Sequence, residues 1–177
     1  MTETAEDLRY PIGQFDKETI GDAATRAQHL EVLRLFPENL SAAVHGLTDP
    51  QLDTPYREDG WTVRQLVHHV ADSHMNAYVR FKLALTEDWP TIKTYEEAEW
   101  ARLADSLLDI PVSLDLLTNI HTRWLAFLDA LTEEDFARGY VHPAMGRQSL
   151  QEVVARYSWH SRHHLAHITN LRTRMGW

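Results

Sequence analysis

Apolar residues recur every three to four positions in four long stretches of this chain, and no alternating apolar–polar pattern persists between them. A period near 3.6 residues indicates amphipathic helices, whereas strict alternation indicates strands. The pattern therefore predicts an all-α fold, a bundle of four helices. The helices are expected at about Asp22 to His45, Thr62 to Thr86, Ser113 to Leu131 and Ser149 to Met175.

Local signals define several of these helix ends. In a capping box, two side chains three residues apart satisfy the first free backbone N–H groups of a helix. This spacing occurs at Thr62 and Gln65, and again at Ser149 and Glu152. Pro37 is expected to kink or interrupt the first helix, because proline lacks the N–H that a helix interior needs.

The remaining segments are expected to be short. We predict a short helix from Glu96 to Leu107, a brief helical piece at Thr132–Phe136 and a loop through His142. Residues 1–21 are interpreted as an extended N-terminal arm, and residues 1–177 as one domain.

Charge and composition exclude several classes of function. The net charge is −9 and no cluster of lysine or arginine is present, which argues against a nucleic-acid partner. No apolar run approaches the ~20 residues of a membrane span. The chain has no cysteine, so disulfides and thiolate metal sites are excluded. The acidic N-terminus does not have the pattern of a signal peptide, and we expect a cytoplasmic protein.

The fourth helix carries four histidines within eight residues, His160, His163, His164 and His167. His160 and His164 are one helical turn apart and face the apolar stripe, whereas His163 and His167 are expected to point mostly outward. The alternative is a solvated histidine-rich helix end. We prefer a metal-binding pair, because burying two unpaired imidazoles side by side is costly.

A third histidine would complete a site with an open position, the architecture of catalytic zinc. Helix periodicity leaves two candidates open, His69 and His74. His74 lies in the apolar stripe, where a core histidine bonded to a neighbour is the common outcome. His69 lies on a polar edge with Asn76 and Arg80, which is either a solvated boundary or the wall of a site with a cation for an anionic group.

Several catalytic motifs are missing from the sequence. Ser161 and Arg162 follow His160, so the His-Glu-x-x-His pattern of metalloproteases and its glutamate base are absent. The chain also lacks a glycine-rich phosphate loop, a nucleophile elbow and the paired Glu-x-x-His motifs of di-iron bundles.

Two histidine-rich blocks resemble a known family. Residues 61–76 (WTVRQLVHHVADSHMN) and 157–168 (YSWHSRHHLAHI) resemble the DinB superfamily and, within it, the YfiT-like metal-dependent hydrolases; residues 10–13 (YPIG) and 174–177 (RMGW) are also similar. The resemblance implies a DinB-like four-helix bundle, a homodimer and one divalent metal, Zn²⁺ or Ni²⁺, per subunit. It also implies that His69, His160 and His164 are the ligands.

Three functions are compatible with such a site. The first is hydrolysis of a small molecule by a metal-bound water, which zinc activates by lowering its pKa to about 7. The second, suggested by a looser resemblance, is a bacillithiol-type S-transferase that conjugates a low-molecular-weight thiol to an electrophile. The third is a non-catalytic metal or ligand-binding module, which a fourth protein ligand such as His74 or His167 would favour. Arg80 and Asn76 are candidates for contacting the substrate.

Overall fold

Four long helices form the molecule in the computed structural model, which describes residues 8–177. We label them α1 (Ala23–Val44), α2 (Val63–Thr86), α3 (Pro111–Leu128) and α4 (Leu150–Met175). The predicted four-helix bundle is confirmed, and most helix ends agree with the sequence pattern to within a residue or two. Of the expected N-terminal arm, residues 1–7 lie outside the described residues, and Lys17–Ile20 form one turn of 3₁₀-helix rather than extended chain.

The helix ends show which capping signals operate. Thr62 and Gln65 form the predicted reciprocal box at the start of α2. At α4 only half of the predicted box is present, because Ser149 accepts a bond from the Glu152 backbone N–H while the Glu152 carboxylate turns away. That carboxylate pairs with Arg156 instead, at 3.1 Å. The prediction of a second complete box was therefore wrong.

Helix α1 continues through Pro37 without interruption. Proline cannot donate to the carbonyl four residues earlier, which is that of Leu33. The Leu33 carbonyl oxygen instead accepts a bond from His121 Nδ1 on α3, at 2.8 Å. A side chain from a neighbouring helix thus replaces the backbone donor that Pro37 removes.

A small β-hairpin precedes α4, where only a loop was expected. Strands β1 (Gly139–His142) and β2 (Gly146–Ser149) pair antiparallel, with Tyr140 opposite Gln148. Each strand has four residues, too few for an alternating pattern to stand out. The predicted helix from 96 to 107 is also divided, into single turns at Glu97–Trp100 and Ala104–Leu107; further short helices are Asp49–Leu52 and Glu133–Ala137.

The core consists of two apolar clusters with buried histidines between them. One cluster surrounds Trp124 and Phe81, and the other surrounds Phe36. His74 contacts both, since its ring centroid lies 5.2 Å from that of Phe36 and 6.0 Å from that of Trp124. Polar side chains therefore occupy the middle of the bundle, where α2 and α4 face each other. Within residues 8–177, no helix combines the length and apolar character needed to cross a membrane.

Candidate metal centre

Three histidines from two helices converge in the middle of the bundle. His69 comes from α2, and His160 and His164 come from successive turns of α4. One ring nitrogen from each lies within 4.8 Å of the others. The structure thus brings together the three residues that the family resemblance implies as ligands.

The surroundings of these histidines favour the neutral imidazole. His69 and His164 are buried and His160 is half-buried. Burial lowers the pKa of His69 to about 4. Burial, followed by the nearby imidazoles, also holds the pKa values of His160 and His164 well below the ordinary range. Neutral imidazole is the form that binds metal ions, so the rings are available as ligands at neutral pH.

The positions of the ring nitrogens fit a divalent cation. The Nε2 atoms of His160 and His164 lie 3.1 Å apart. Tetrahedral Zn²⁺ with Zn–N bonds of about 2.0–2.1 Å places its ligand nitrogens about 3.3 Å apart. The Nδ1 atoms of both rings are buried and have no hydrogen-bond partner. Each ring therefore presents Nε2 to a shared position.

His163 and His167 are also buried, with 7% and 3% of their surface exposed, so their predicted outward orientation was wrong. The chain before α1 and the connector between α1 and α2 cover this side of α4. His167 Nε2 bonds to the Arg9 carbonyl oxygen at 3.2 Å, and its ring stacks on Tyr56 with centroids 4.0 Å apart. His163 stacks on Trp159 at 4.6 Å. The periodicity of one helix cannot show that another segment covers its polar face.

His74 behaves as the core histidine that the alternative interpretation described. It is fully buried, and its Nδ1 lies 2.8 Å from His121 Nε2. His68, on another face of α2, is bonded at both ring nitrogens, to the Ser113 hydroxyl at 2.7 Å and the Leu108 carbonyl oxygen at 3.0 Å. Neither belongs to the group of three converging nitrogens.

Asn76 and Arg80 lie further along the same helix from His69. At 1.5 Å per residue, they are about 10 Å and about 16 Å from it along the axis of α2. Arg80 Nη2 donates to the Lys93 carbonyl oxygen at 3.1 Å. Asn76 borders a cavity of about 530 Å³ whose other lining residues are Lys93, Thr94, Tyr95, Glu96, Glu99 and Trp100. The role of Asn76 and Arg80 in binding a ligand remains a prediction.

Two tyrosines near the histidines were not singled out from the sequence. The Tyr157 ring lies 5.5 Å from that of His160, and its hydroxyl donates to the Ser73 carbonyl oxygen at 3.2 Å. The Tyr95 hydroxyl is buried near the Ser73 side chain, and burial raises the pKa of Tyr95. Ser73 is one turn after His69, and Tyr157 is three residues before His160. Helical spacing alone could therefore have predicted that Ser73 and Tyr157 lie near the histidines.

The bundle and its histidine cluster define a helical protein with a candidate metal site, and comparison with known families agrees. Residues 32–168 match the model of the DinB superfamily. Because this match covers most of the chain, the protein belongs to the DinB superfamily.

Close relatives span almost the whole chain. Proteins named "Putative metal-dependent hydrolase" from Bacillus cereus (strain 03BB102) and Bacillus thuringiensis subsp. konkukian are each 52% identical over 174 residues, covering 97% of this chain and 99% of theirs. The structure of YfiT from Bacillus subtilis, described as "a probable metal-dependent hydrolase with an unusual four-helix bundle topology", is 48% identical with a TM-score of 0.93. That match covers 97% of this chain and 99% of YfiT.

A more distant structure shares the fold. TT2238, described as a four-helix bundle protein, is 19% identical with a TM-score of 0.54, and the match covers 79% of this chain and 94% of TT2238. At this identity the likeness supports the architecture alone.

Proposed function

We propose that this protein is a metal-dependent hydrolase of a small molecule, with one Zn²⁺ or Ni²⁺ held by His69, His160 and His164. The observation that carries the proposal is the convergence of three neutral imidazoles, two buried and one half-buried, with two Nε2 atoms 3.1 Å apart. The names of the relatives at 52% identity and of YfiT agree with it.

An ion bound by three neutral ligands keeps its full charge, and in an open site it acidifies a coordinated water enough to make it a nucleophile at neutral pH. Within residues 8–177, the converging group around His69 contains three histidines and no fourth histidine, cysteine or carboxylate. This count supports an open position and argues against the non-catalytic module. The Trp61 ring, 4.4 Å from that of His69, and Tyr157 beside His160 shield the ligands on two sides.

The rest of the proposed site binds and orients the substrate. Ser73 fixes the Tyr157 hydroxyl, so the ring of Tyr157 forms a firm wall next to His160. The buried Tyr95 hydroxyl lies near the Ser73 side chain and adds a second polar group to this wall. The guanidinium of Arg80, which bonds to the Lys93 carbonyl oxygen, can pair with an anionic group of the substrate.

Thiol transfer is the second candidate, because a cation lies on the same helix as His69. Arg80 is about 16 Å from His69 along the helix axis, but a helical side chain leans toward the N-terminal end of its helix, which brings the guanidinium closer to the histidines. An anionic group of a ligand can pair with this guanidinium while another atom of the ligand binds the metal. A low-molecular-weight thiol with carboxylates meets this description, as does an anionic ester or amide.

The test uses protein stripped of metal and reloaded with Zn²⁺ or Ni²⁺. We expect hydrolysis of at least one member of a panel of small anionic esters and amides by the reloaded protein, and its loss in His164→Ala. His68→Ala is the matched control, since His68 is a buried histidine of α2 bonded away from the site. Consumption of a thiol and an electrophile without any hydrolysis would replace the proposal with the transferase.

A further inference from the structure

We infer that His74 and His167 are positioning residues that fix which ring nitrogen carries the proton in His160 and His164, respectively. This inference rests on the proposed function, because it concerns the two ligands on α4. Each positioning residue ends a chain of hydrogen bonds that begins at a backbone carbonyl. A carbonyl can only accept, so it determines the direction of every bond after it.

The first chain begins at Leu33. Pro37 removes the helical donor to the Leu33 carbonyl oxygen, and His121 Nδ1 lies 2.8 Å from that oxygen. His121 must therefore carry its proton on Nδ1 and leave Nε2 as an acceptor. His74 Nδ1 lies 2.8 Å from His121 Nε2, so His74 donates from Nδ1 and its own Nε2 becomes an acceptor.

The first chain then points to His160. His74 Nε2 is buried without a partner, and so is His160 Nδ1. The ring centroids of the two residues lie 5.5 Å apart, compared with 5.0 Å for the bonded rings of His74 and His121. A small ring movement would therefore join a lone pair on His74 Nε2 to a proton on His160 Nδ1. That bond leaves His160 Nε2 unprotonated and free to bind a metal.

The second chain begins at Arg9, in the segment that covers α4. His167 Nε2 lies 3.2 Å from the Arg9 carbonyl oxygen, so His167 carries its proton on Nε2. Its Nδ1 is then an acceptor, and this atom is buried without a partner. His164 Nδ1 and His163 Nδ1 are likewise unpartnered, and their rings lie 5.5 Å and 4.3 Å from that of His167. We assign the bond to His164 because His164 is the proposed ligand of the two. The same argument leaves His164 Nε2 free for the metal.

This assignment requires that every ring in the two chains is neutral, with one N–H each. Burial lowers the pKa of His121 to about 4 and that of His167 to about 3, and it holds the pKa of His74 well below its usual range. For His167 the cations Arg57 and Arg174 also lower the pKa, and the Arg9 carbonyl raises it. All three rings are buried, and burial favours the neutral form with one N–H.

The consequence is a site in which both α4 ligands present an unprotonated Nε2 when a metal is bound. Hydrogen bonds to the second nitrogen of a ligating histidine typically change metal affinity by about 10–100-fold. The Nε2–Nε2 separation of 3.1 Å between His160 and His164 is consistent with rings that are already aimed at a common point.

The first experiment needs no variant. Nitrogen-15 NMR of the imidazoles in the full chain, with and without Zn²⁺, distinguishes protonated from unprotonated ring nitrogens. We expect protons on Nδ1 of His121 and His74, on Nε2 of His167 and, with Zn²⁺ bound, on Nδ1 of His160 and His164. A proton on His74 Nε2 or on His167 Nδ1 would overturn the inference.

The second experiment measures Zn²⁺ affinity by competition with a chelator. His74→Phe keeps the volume but removes the acceptor, and we expect a 10–100-fold loss of affinity. In His74→Gln the amide can donate to His121 and accept from His160, so we expect most of the affinity to return. His68→Phe, at a buried histidine of the same helix, should bind Zn²⁺ as the unchanged protein does.

The outcomes separate this inference from the proposed function. If Zn²⁺ does not bind, or binds equally well in His164→Ala, the proposed function fails. If Zn²⁺ binds through His164 but His74→Phe has unchanged affinity, only the inference fails. It also fails if the chain binds two Zn²⁺ ions and His163→Ala removes one, because His163, His164 and His167 would then form a second site rather than orient the first.

Discussion

His160 Nε2 and His164 Nε2 face each other across 3.1 Å, from successive turns of α4. Two neutral imidazoles can share this position through one N–H···N bond, but the remaining Nδ1 atoms are then buried without partners. A cation between the two Nε2 atoms removes their mutual repulsion and turns both Nδ1 atoms into donors. The pair is therefore the feature of the site that depends most directly on a bound metal.

Removing any one proposed ligand should abolish stoichiometric metal binding. We expect His69→Ala, His160→Ala and His164→Ala to retain less than one tenth of the bound metal after dialysis, because two imidazoles hold a divalent cation much more weakly than three. Elemental analysis of the purified proteins checks this. His68→Ala should retain full occupancy, and equal loss in all four variants would show that the metal depends on folding rather than on these side chains.

The metal-free protein should lose stability between pH 7 and pH 5. Burial lowers the pKa of His121 from 6.5 to about 4. Below pH 6.5 the unfolded chain therefore binds a proton that the folded protein does not, and acid favours unfolding until about pH 4. His121 alone should lower the free energy of unfolding by about 2 kcal/mol between pH 7 and pH 5.

Urea unfolding in the presence of EDTA tests this prediction. In His121→Gln, the free energy of unfolding should fall by about 2 kcal/mol less between pH 7 and pH 5 than in the unchanged protein. His45→Gln, at an exposed histidine just after α1, is the control and should keep the full dependence. A free energy of unfolding that stays constant from pH 7 to pH 5 would contradict the neutral, buried state of the ring.

Asp72 gives a prediction of the opposite sign. Burial, and then the charge of Asp105, raise the pKa of Asp72 to about 6. The folded protein therefore holds a proton that the unfolded chain releases between about pH 4 and pH 6, and stability falls as the pH rises through this range. Above pH 6 the ionised carboxylate of Asp72 destabilises the folded protein to its full extent.

Asp72→Asn should therefore stabilise the protein at pH 8 by about 1–2 kcal/mol, a value reduced because the carboxylate is only half-buried. Near pH 4 the variant and the unchanged protein should melt at similar temperatures. Glu58→Gln removes an exposed carboxylate and serves as the control. A variant that is less stable at pH 8 would show that the charged form of Asp72 makes a favourable contact.

Sequence periodicity predicts the four helices because each buries one apolar stripe against the others. The same stripe predicts that His160 and His164 face inward, and helix geometry makes them neighbours. The pattern could not choose between His69 and His74, because both lie on the side of α2 that the bundle covers. The two histidines differ because His74 Nδ1 is hydrogen-bonded to His121, which lies on a third helix.

Contacts between distant segments account for the wrong predictions. His167 is buried because Arg9 and Tyr56, more than 100 residues earlier, cover it. Likewise, Pro37 does not interrupt α1, and His121 supplies the missing donor to Leu33; the alternative of a kink at Pro37 stays a prediction. Neither contact leaves a local signal, since each depends on how the elements pack rather than on the order of residues within one helix.

The choice between hydrolysis and thiol transfer can be made at the metal. In Co²⁺-substituted protein, we expect a low-molecular-weight thiol with carboxylates to change the visible spectrum if its sulfur binds the ion, because a metal-bound thiol ionises.

Arg80→Ala should lower the affinity for this thiol by about tenfold, equivalent to about 1.4 kcal/mol, and leave the affinity for a neutral thiol almost unchanged. The reason is that the Arg80 guanidinium attracts the carboxylate of the ligand and has no such interaction with a neutral thiol. Lys82→Ala removes an exposed cation of the same helix and is the control. An unchanged spectrum with millimolar thiols would leave hydrolysis as the function of the site, and equal weakening of charged and neutral thiols would show that Arg80 acts on the fold rather than on the ligand.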